Sequence, residues 1–192
     1  MGSAAAGIDP GPASDGRGMM QGRCRASGWH ARETQMTTSL STLKDHPFLA
    51  GFRPEHVEKI RSLAREAHFD ADHVIFKEGD ECSDFYLIIS GLVALEIELP
   101  KRTIRLQTLV AGDEFGWSAV LMGRGKHFQA RTLRPVDALA LDGPSLVTAC
   151  EQDPSFGFAL MYRLLGVVSE RLQATRLELS DNYSPVAKLA GA

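Results

Sequence analysis

The stretch that decides the fold is residues 112–121, Gly-Asp-Glu-Phe-Gly-Trp-Ser-Ala-Val-Leu, followed after a short gap by residues 128–130, Phe-Gln-Ala. Its Gly-Asp and Phe-Gly pairs are turn signals that occur in many folds, so neither pair identifies a structure by itself. The segments on either side carry more information, because they alternate between short apolar runs and turns. That order restricts the fold class.

Residues 68–141 contain apolar side chains at about every second position, in short runs that end at Gly, Pro or charged turn residues. The runs lie at 73–77, 85–89, 93–99, 103–109, 128–133 and 138–141. Short strands separated by turns at this spacing are typical of an antiparallel barrel or sandwich. We therefore predict about eight short strands in the middle of the chain.

Helices are predicted on both sides of this β-rich region. In residues 55–67 the apolar side chains lie three or four positions apart, which predicts an amphipathic helix. These side chains are Val57, Ile60, Leu63, Ala64 and Ala67. A short helix is predicted over 142–150, and a long one over about 155–179, with Asp153 as N-cap and Pro154 in its first position.

Four motifs in this order are similar to those of the cyclic-nucleotide-binding domain in the catabolite activator protein / fumarate-nitrate regulator superfamily. They are the turn at 78–80, the strand at 86–93, the Gly-Asp-x-Phe-Gly segment at 112–116 and Arg-Leu-Gln-Ala-Thr at 171–175. The resemblance covers roughly residues 43–180. It implies an α+β fold, namely an antiparallel, jelly-roll-like β-roll with an N-terminal helix and a long C-terminal dimerisation helix.

In that family the stretch at 112–130 is a phosphate-binding cassette, where backbone N–H groups and one Arg hold a cyclic phosphate and a Glu binds the ribose. The resemblance therefore implies ligand-binding positions in this chain, including a base-contacting Thr in the long helix. These positions are Phe115, Gly116, Trp117, Ser118, Ala119, Phe128, Gln129, Ala130 and Thr175.

Trp117 stands where the family has the ribose-binding Glu, and Phe128 stands where it has the phosphate-binding Arg. Removing one partner of a buried, charge-assisted pair costs several kcal/mol. A cyclic nucleotide is therefore a disfavoured ligand of this chain.

Three interpretations of these two aromatic residues remain open. They could fill the former pocket as core, or line a cavity for a flatter and less anionic ligand. In the third, nearby basic residues rebuild an anion site by a new route. The candidates for that role are Arg124, Lys126, His127 and Arg131.

The long helix carries a second signal. Phe158, Leu165, Leu172 and Leu179 recur every seven residues, with Met161, Val168 and Thr175 in the complementary seam. This is an a/d pattern over about three heptads, which predicts a parallel homodimer. Gly166 lowers helix stability, so we expect it to allow close packing.

Composition excludes several classes of protein. The net charge of −3 does not indicate a nucleic-acid-binding domain, which usually has an excess of basic residues. The three scattered cysteines show no metal-ligand spacing, and no apolar run approaches the 18 residues that a membrane helix needs. No nucleophile–base or carboxylate pair is recognisable, so no catalytic or metal site is predicted.

We predict a disordered tail at 1–35, or a true start at Met36, then the roll at 36–153, the long helix at 154–181 and a flexible tail at 182–192. The last segment is too short to form a DNA-binding domain. The predicted function is a cytoplasmic, non-enzymatic regulatory or sensor domain with no direct DNA binding. The alternative is a dimerising interaction module without a ligand, or a partner subunit of a transcription regulator.

Overall fold

The computed structural model describes residues 43–81, 83–121 and 125–183. The strands are β1 (Ala64–Phe69), β2 (Val74–Phe76), β3 (Asp84–Leu99), β4 (Arg102–Leu109), β5 (Glu114–Phe115) and β6 (Gln129–Asp142). The α-helices are α1 (Pro54–Leu63), α2 (Gly143–Gln152) and α3 (Pro154–Tyr183). Three single-turn 3-10 helices cover Leu43–Asp45, Pro47–Leu49 and Trp117–Ala119.

The six strands form one antiparallel sheet in the order β1-β6-β3-β4, with β2 paired to β6 and β5 paired to β3. The two longest strands, β3 and β6, pair from Asp84↔Asp142 to Glu96↔Gln129 and form the middle of the sheet. The architecture confirms the predicted α+β fold, a β-roll followed by a long C-terminal helix.

The register between β3 and β6 shifts three times between Ile88 and Val93, which bends both strands. Gly91 lies inside this bend with φ of 98°. A Cβ on Gly91 would lie 2.8 Å from the Val136 Cα atom, so the two backbones could not approach as closely with another residue there.

Two sequence predictions about these elements are wrong. The runs at 85–89 and 93–99 belong to the single strand β3, and those at 128–133 and 138–141 belong to β6, which leaves six strands among the described residues. The first helix ends at Leu63 instead of residue 67. Residues 64–69 form β1 instead, because pairing with β6 satisfies their backbone groups across the sheet.

The core has two parts, one on each face of the β3–β6 region. Phe85 and Leu87 belong to the part that packs on the helices, whereas Tyr86 and Ile88 belong to the part inside the roll. This alternation follows from the period of two in a strand. The roll needs both faces of β3 covered, which explains why the sequence of β3 is almost continuously apolar.

Helix α3 is anchored to the roll at its N-terminal end. The Asp153 carboxylate accepts a hydrogen bond from the Phe156 N–H at 3.1 Å and another from Lys59 Nζ at 2.6 Å. These bonds, that of Lys59 first, lower the pKa of Asp153 to about 2. Phe156, Leu160, Leu164 and Val167 then bury one side of the helix against the sheet. The predicted cap and first-position Pro154 are confirmed.

Over its 30 residues α3 is about 45 Å long, so it extends beyond what a single small roll can cover. Within the described residues, no helix combines the length and the apolar character that crossing a membrane would require.

Candidate ligand-binding site

A narrow cleft lies where the Gly116 turn, the loop before β6 and the side of α3 meet. Its lining residues, which define the cleft below, are Phe76, Leu95, Gly116, Trp117, Ser118, Lys126, His127, Phe128 and Arg171. The cavity between these side chains has a volume of about 30 Å³. In this conformation the cleft is therefore too narrow for a ring-containing ligand to enter unless its walls move.

Gly116 makes the turn on which the cleft is built. Its φ of 80° is left-handed, and a Cβ there would lie 2.6 Å from the Asp84 carbonyl oxygen. Only glycine combines that φ with so close an approach at little cost. The turn leads into the single helical turn at 117–119, closed by the Ala119 N–H donating to the Gly116 carbonyl at 2.9 Å.

Lys126 is a buried cation in the wall of the cleft, only 3% exposed. Its ammonium donates to the carbonyl oxygens of Asp84 at 3.1 Å and Gly116 at 3.2 Å. Nζ also lies 4.8 Å from the centre of the Phe76 ring, a distance at which the ring face attracts a cation. These contacts hold the ammonium in place at a site that water scarcely reaches.

The backbone around Lys126 is also held in place. Its N–H donates to the Asp80 carbonyl at 3.1 Å, and its carbonyl accepts from the Gly79 N–H at 2.8 Å. The Gly79-Asp80 turn, one of the motifs in the sequence, therefore positions the residue that brings a positive charge to the cleft.

A second cation, Arg171, reaches the cleft from α3. One of its guanidinium nitrogens donates to the carboxylate of Glu114 at 2.9 Å and also contacts the Glu114 carbonyl oxygen. Glu114 is 8% exposed, and burial raises its pKa to about 7 although Arg171 opposes that shift. Burial likewise lowers the pKa of Arg171. Both directions indicate an ion pair in which loss of hydration outweighs mutual attraction.

The nine residues implicated by the sequence are only partly brought together. Gly116, Trp117, Ser118 and Phe128 line the cleft. Phe115 is fully buried inside the roll and stacks on Tyr86 with ring centres 4.7 Å apart.

Ala130 is also fully buried in the roll core, and Gln129 donates to Glu96 at 3.3 Å. The carbonyl oxygen of Ala119 lies close to Gly143, at the start of α2. Thr175 belongs to α3, but its side chain lies outside the described part of the structure.

The candidates for a rebuilt anion site also differ in position. Arg131 binds both carboxylate oxygens of Glu96, at 2.7 and 3.0 Å, and it is not part of the cleft wall. Arg124 lies outside the described residues. Lys126 and the exposed His127 are the two candidates that line the cleft.

Trp117 and Phe128 are both half-buried, and they line the cleft instead of filling it completely. Trp117 also packs against the core beneath the helices. The ring of Phe128 meets His127 at a steep angle of 65°, with ring centres 6.4 Å apart. Aromatic side chains therefore supply much of the cleft's apolar surface.

Sequence reasoning gave no role to Arg171 or Glu114. Arg171 had a signal, because it continues the row of Leu160, Leu164 and Val167 at helical spacing, and that row packs on the roll. A charged residue in a buried row needs a buried partner. Glu114 had no such signal, since β5 is only two residues long.

Other chemistry is sparse around this site. Among the described residues, no three His, Cys, Asp or Glu side chains are grouped so that they could hold a metal ion. Cys150 is a free, half-buried thiol whose pKa is raised, chiefly by burial. A raised pKa reduces the reactive thiolate fraction.

Comparison with known proteins adds an independent observation. Residues 66–153 match the family model described as the cyclic nucleotide-binding domain. The CRP-like cAMP-activated global transcriptional regulator of Mycobacterium tuberculosis (strain CDC 1551 / Oshkosh) is 26% identical over 132 residues. The match covers 68% of this chain and 57% of that regulator, so the chain spans little more than half of its length.

Solved structures show the same fold. The catabolite activator protein of Thermus thermophilus aligns with a TM-score of 0.59 and 25% identity, over 70% of this chain and 62% of that one. A cyclic nucleotide-binding domain from Methylobacillus flagellatus KT aligns with a TM-score of 0.68 and 20% identity, over 74% of this chain and 83% of that one.

Proposed function

Because residues 66–153 belong to the cyclic nucleotide-binding domain family, we propose that this chain is a non-enzymatic regulatory module whose cleft binds a ligand and whose helix α3 carries the response. The proposal includes the predicted cytoplasmic location and homodimeric state. The observation that carries it is Arg171, which lines the cleft from α3 and binds Glu114 in β5.

The contact between Arg171 and Glu114 links the cleft to the helix mechanically. Because its cavity measures only about 30 Å³, the cleft can admit a ring-containing ligand only if a wall moves. Arg171 belongs to one wall, and moving it changes how α3 packs on the roll. A ligand that binds the opened form better would therefore shift the population of helix positions.

We expect cyclic AMP and cyclic GMP to bind weakly, with Kd in the high micromolar range or worse. Trp117 and Phe128 occupy positions where the family has charged or hydrogen-bonding partners for the ribose and the phosphate. The relative from Mycobacterium tuberculosis is named as cAMP-activated, which is a reason to test cyclic AMP first.

A thermal-unfolding screen with cyclic mono- and dinucleotides, nucleoside monophosphates and small acids tests the ligand-binding function. A ligand at 100 times its Kd stabilises the folded state by about 2.7 kcal/mol, which is readily measured. Stabilisation by at least one compound supports the proposal. If none stabilises the protein at millimolar concentration, the cleft is not a ligand site and the alternative of an interaction module is favoured.

The proposed dimer rests on an exposed apolar face of α3. Phe158, Tyr162, Leu165 and Leu172 are 74%, 71%, 65% and 61% exposed, and they lie on one side of the helix. The rings of Phe158 and Tyr162 stack with centres 6.0 Å apart. Four large apolar side chains in one row are more than the scattered apolar residues of an ordinary surface.

This face differs in one respect from the predicted a/d pattern. Met161 packs partly against the core of the roll, while Tyr162, which the pattern did not include, faces outward. The close packing expected at Gly166 is not found within the described chain, since a Cβ there would have no atom within 4 Å. Gly166 is therefore available for close approach of a second helix.

Replacing Leu165 with Asp should convert the dimer into a monomer, because a carboxylate cannot be buried in an apolar interface without a partner. Val110→Asp is a matched control, since Val110 is also an exposed apolar side chain but lies in a loop outside α3. Sedimentation equilibrium measures the mass of each variant. An unchanged mass for the Leu165 variant would show that α3 does not form the interface.

Gly166→Ala gives a second test of the same interface. In an isolated exposed helix this change should stabilise by roughly 1 kcal/mol. In a dimer whose helices approach at Gly166 it should instead weaken self-association. Self-association that is equal to or stronger than that of the native chain would exclude a close approach at this residue.

A further inference from the structure

The outer edge of β4 is an exposed row of backbone hydrogen-bonding groups. Among the described strands, β4 pairs only with β3 and stands at one end of the sheet. The backbone hydrogen bonds of turns and loops in residues 43–81, 83–121 and 125–183 do not involve residues 102–109. Most side chains of β4 are exposed as well. An edge of this kind is a template on which another strand can form.

The turn that joins β3 to β4 decides which backbone groups face outward. Residues 100–101 form a two-residue turn, which Leu99 and Arg102 close as a pair. In an antiparallel ladder, pairs that exchange hydrogen bonds alternate with pairs that do not, and the pair closing such a turn is of the first kind. Counting from that pair, Thr103 and Arg105 belong to pairs of the second kind. Their N–H and C=O groups therefore point away from β3, towards the open edge.

The charge along this edge is positive. Arg102 and Arg105 are the charged residues of β4, and both are exposed. Within the described chain, Arg102 has no hydrogen-bond or ion-pair partner. Arg105 lies 3.8 Å from Glu96, but Arg131 already donates to both carboxylate oxygens of Glu96, at 2.7 and 3.0 Å. The edge therefore presents two guanidinium groups that can bind further carboxylates.

The same charge makes a second copy of this chain a poor occupant of the edge. Two β4 strands side by side would bring four arginines together, and β4 itself contains no acid to balance them. Like charges across a strand pair are destabilising, and basic residues on edge strands keep identical edges apart. An acidic segment has the complementary charge, so it is favoured over a second copy.

We propose that the outer edge of β4 docks an extended, acidic segment of a partner protein, which adds a strand to the sheet. The backbone of that segment pairs with Thr103 and Arg105, and its carboxylates bind the guanidinium groups of Arg102 and Arg105. In this mode of recognition, main-chain hydrogen bonds supply affinity and alternate side chains supply specificity. No residue of β4 lines the cleft, so the inference does not depend on the proposed ligand function.

The two arginines also predict the spacing of acids in the docked segment. Arg102 and Arg105 are three residues apart on a strand, so their side chains lie on opposite faces of the sheet. Residues directly across a ladder share a face, so the two acids of the segment are also three positions apart. Ile104 is half-buried and shares the face of Arg102, so an aliphatic residue should lie opposite it.

The test titrates the full chain into a fluorescein-labelled peptide, Thr-Thr-Glu-Val-Val-Glu-Thr-Thr, and follows fluorescence anisotropy. Its two Glu are three positions apart in either strand direction, with aliphatic residues between them. Replacing both Glu with Gln should weaken binding about 5-fold or more, because two ion pairs with exposed arginines are lost. Equal binding of the Gln peptide would exclude charge recognition at this edge.

Two N-methylated forms of the Glu peptide separate strand addition from attraction by charge alone. N-methylation of one alternate set of residues removes the N–H groups that face β4, and N-methylation of the other set removes those that face solvent. One form should lose binding and the other should keep it. Equal binding of the two forms would overturn strand addition, because attraction by charge does not depend on which N–H groups are present.

Variants of the protein assign the binding to β4. Arg102→Gln and Arg105→Gln should each weaken binding of the Glu peptide about 3-fold. Arg134→Gln is the matched control, since Arg134 is an exposed arginine of β6, and it should leave binding unchanged. Thr103→Pro removes an N–H that faces the open edge and no hydrogen bond to β3, so it should abolish binding in a chain that still folds.

Unchanged binding in both Arg102→Gln and Arg105→Gln would overturn the proposed docking edge. If Thr103→Pro does not fold, the pair of N-methylated peptides decides whether a strand is added. A Glu peptide that does not bind the native chain at about 1 mM would refute the docking site. That result would leave the proposed ligand function intact, because the stability screen with small molecules measures it separately.

Discussion

Replacing Glu114 with Gln should change how the stability of this protein depends on pH. The residue is 8% exposed, and its pKa is about 7 in the folded protein against 4.5 ordinarily. A group whose folded pKa is raised stabilises the fold below its unfolded pKa and loses that contribution as the pH rises through its folded pKa. Glu114 therefore stabilises the native chain at pH 4.5 and no longer does so at pH 8.

The size of the effect follows from the two pKa values. Between pH 5 and pH 8 the native protein should lose roughly 2 to 3 kcal/mol of unfolding free energy through Glu114 alone. Gln cannot ionise, so the variant has no such loss. The difference in stability between the variant and the native chain should grow by that amount in favour of the variant as the pH rises from 5 to 8.

Urea unfolding at pH 5, 6, 7 and 8, at one fixed protein concentration, measures this difference. Taking the difference between two chains cancels the titration of every other group, including the histidines. Glu58→Gln is the control, because Glu58 is exposed and its pKa is lowered by its hydrogen bond to Arg61, so it stays ionised across this range. A Glu114 difference that is constant with pH would refute the raised pKa of this buried carboxyl group.

Three further predictions concern Gly116 in the turn, Thr132 in β6 and His46 before the 3-10 helix at Pro47–Leu49. Gly116→Ala should lower the free energy of unfolding in urea by about 2 kcal/mol or more, because it combines a left-handed φ with a 2.6 Å clash. Gly51 has a φ of 86° but open space around it, so Gly51→Ala should cost only the backbone strain of about 1 kcal/mol. Equal costs would exclude the close approach at Gly116. Thr132→Val should cost about 1–3 kcal/mol because the buried hydroxyl donates to a carbonyl at 2.6 Å and accepts from an N–H at 2.8 Å, while the exposed Thr148→Val should cost little. His46 is buried, and burial is the chief reason that its pKa is lowered, so the neutral imidazole stabilises the fold above pH 6.5 and this stabilisation is lost at lower pH. His46→Gln should therefore reduce the loss of unfolding free energy below pH 6.5. An unchanged dependence of stability on pH would contradict a buried neutral imidazole.

The sequence by itself determined the fold class, because the signals for it are local. Alternating apolar residues require strands that bury one face or both, and the Gly-Asp and Phe-Gly turns set where strands end. The start of α3 was equally predictable from the sequence, because Asp153 caps, and Pro154 favours, a helical backbone only a few residues away. At Trp117 and Phe128 the sequence also differs from the cyclic-nucleotide-binding pattern that it resembles.

Where a segment could form either of two elements, the tertiary structure decided. Residues 64–67 continue the apolar spacing of α1, yet they form β1 because the edge of β6 offers them backbone partners. The same reason merges the predicted strands on either side of Gly91 into β3. Pairing with β6 continues through the bend, and no pattern in a single strand contains that information.

The chemistry of the cleft depended most on tertiary structure. In the sequence Lys126 is only one of several basic residues in a loop. The fold places its ammonium against the carbonyl of Asp84, which is 42 residues away in sequence. Glu114 and Arg171 are separated by 57 residues, and neither indicates the other in the sequence. A pKa depends on burial and on neighbouring charges in space, so the raised pKa of Glu114 could be found only once the packing of α3 on the roll was known.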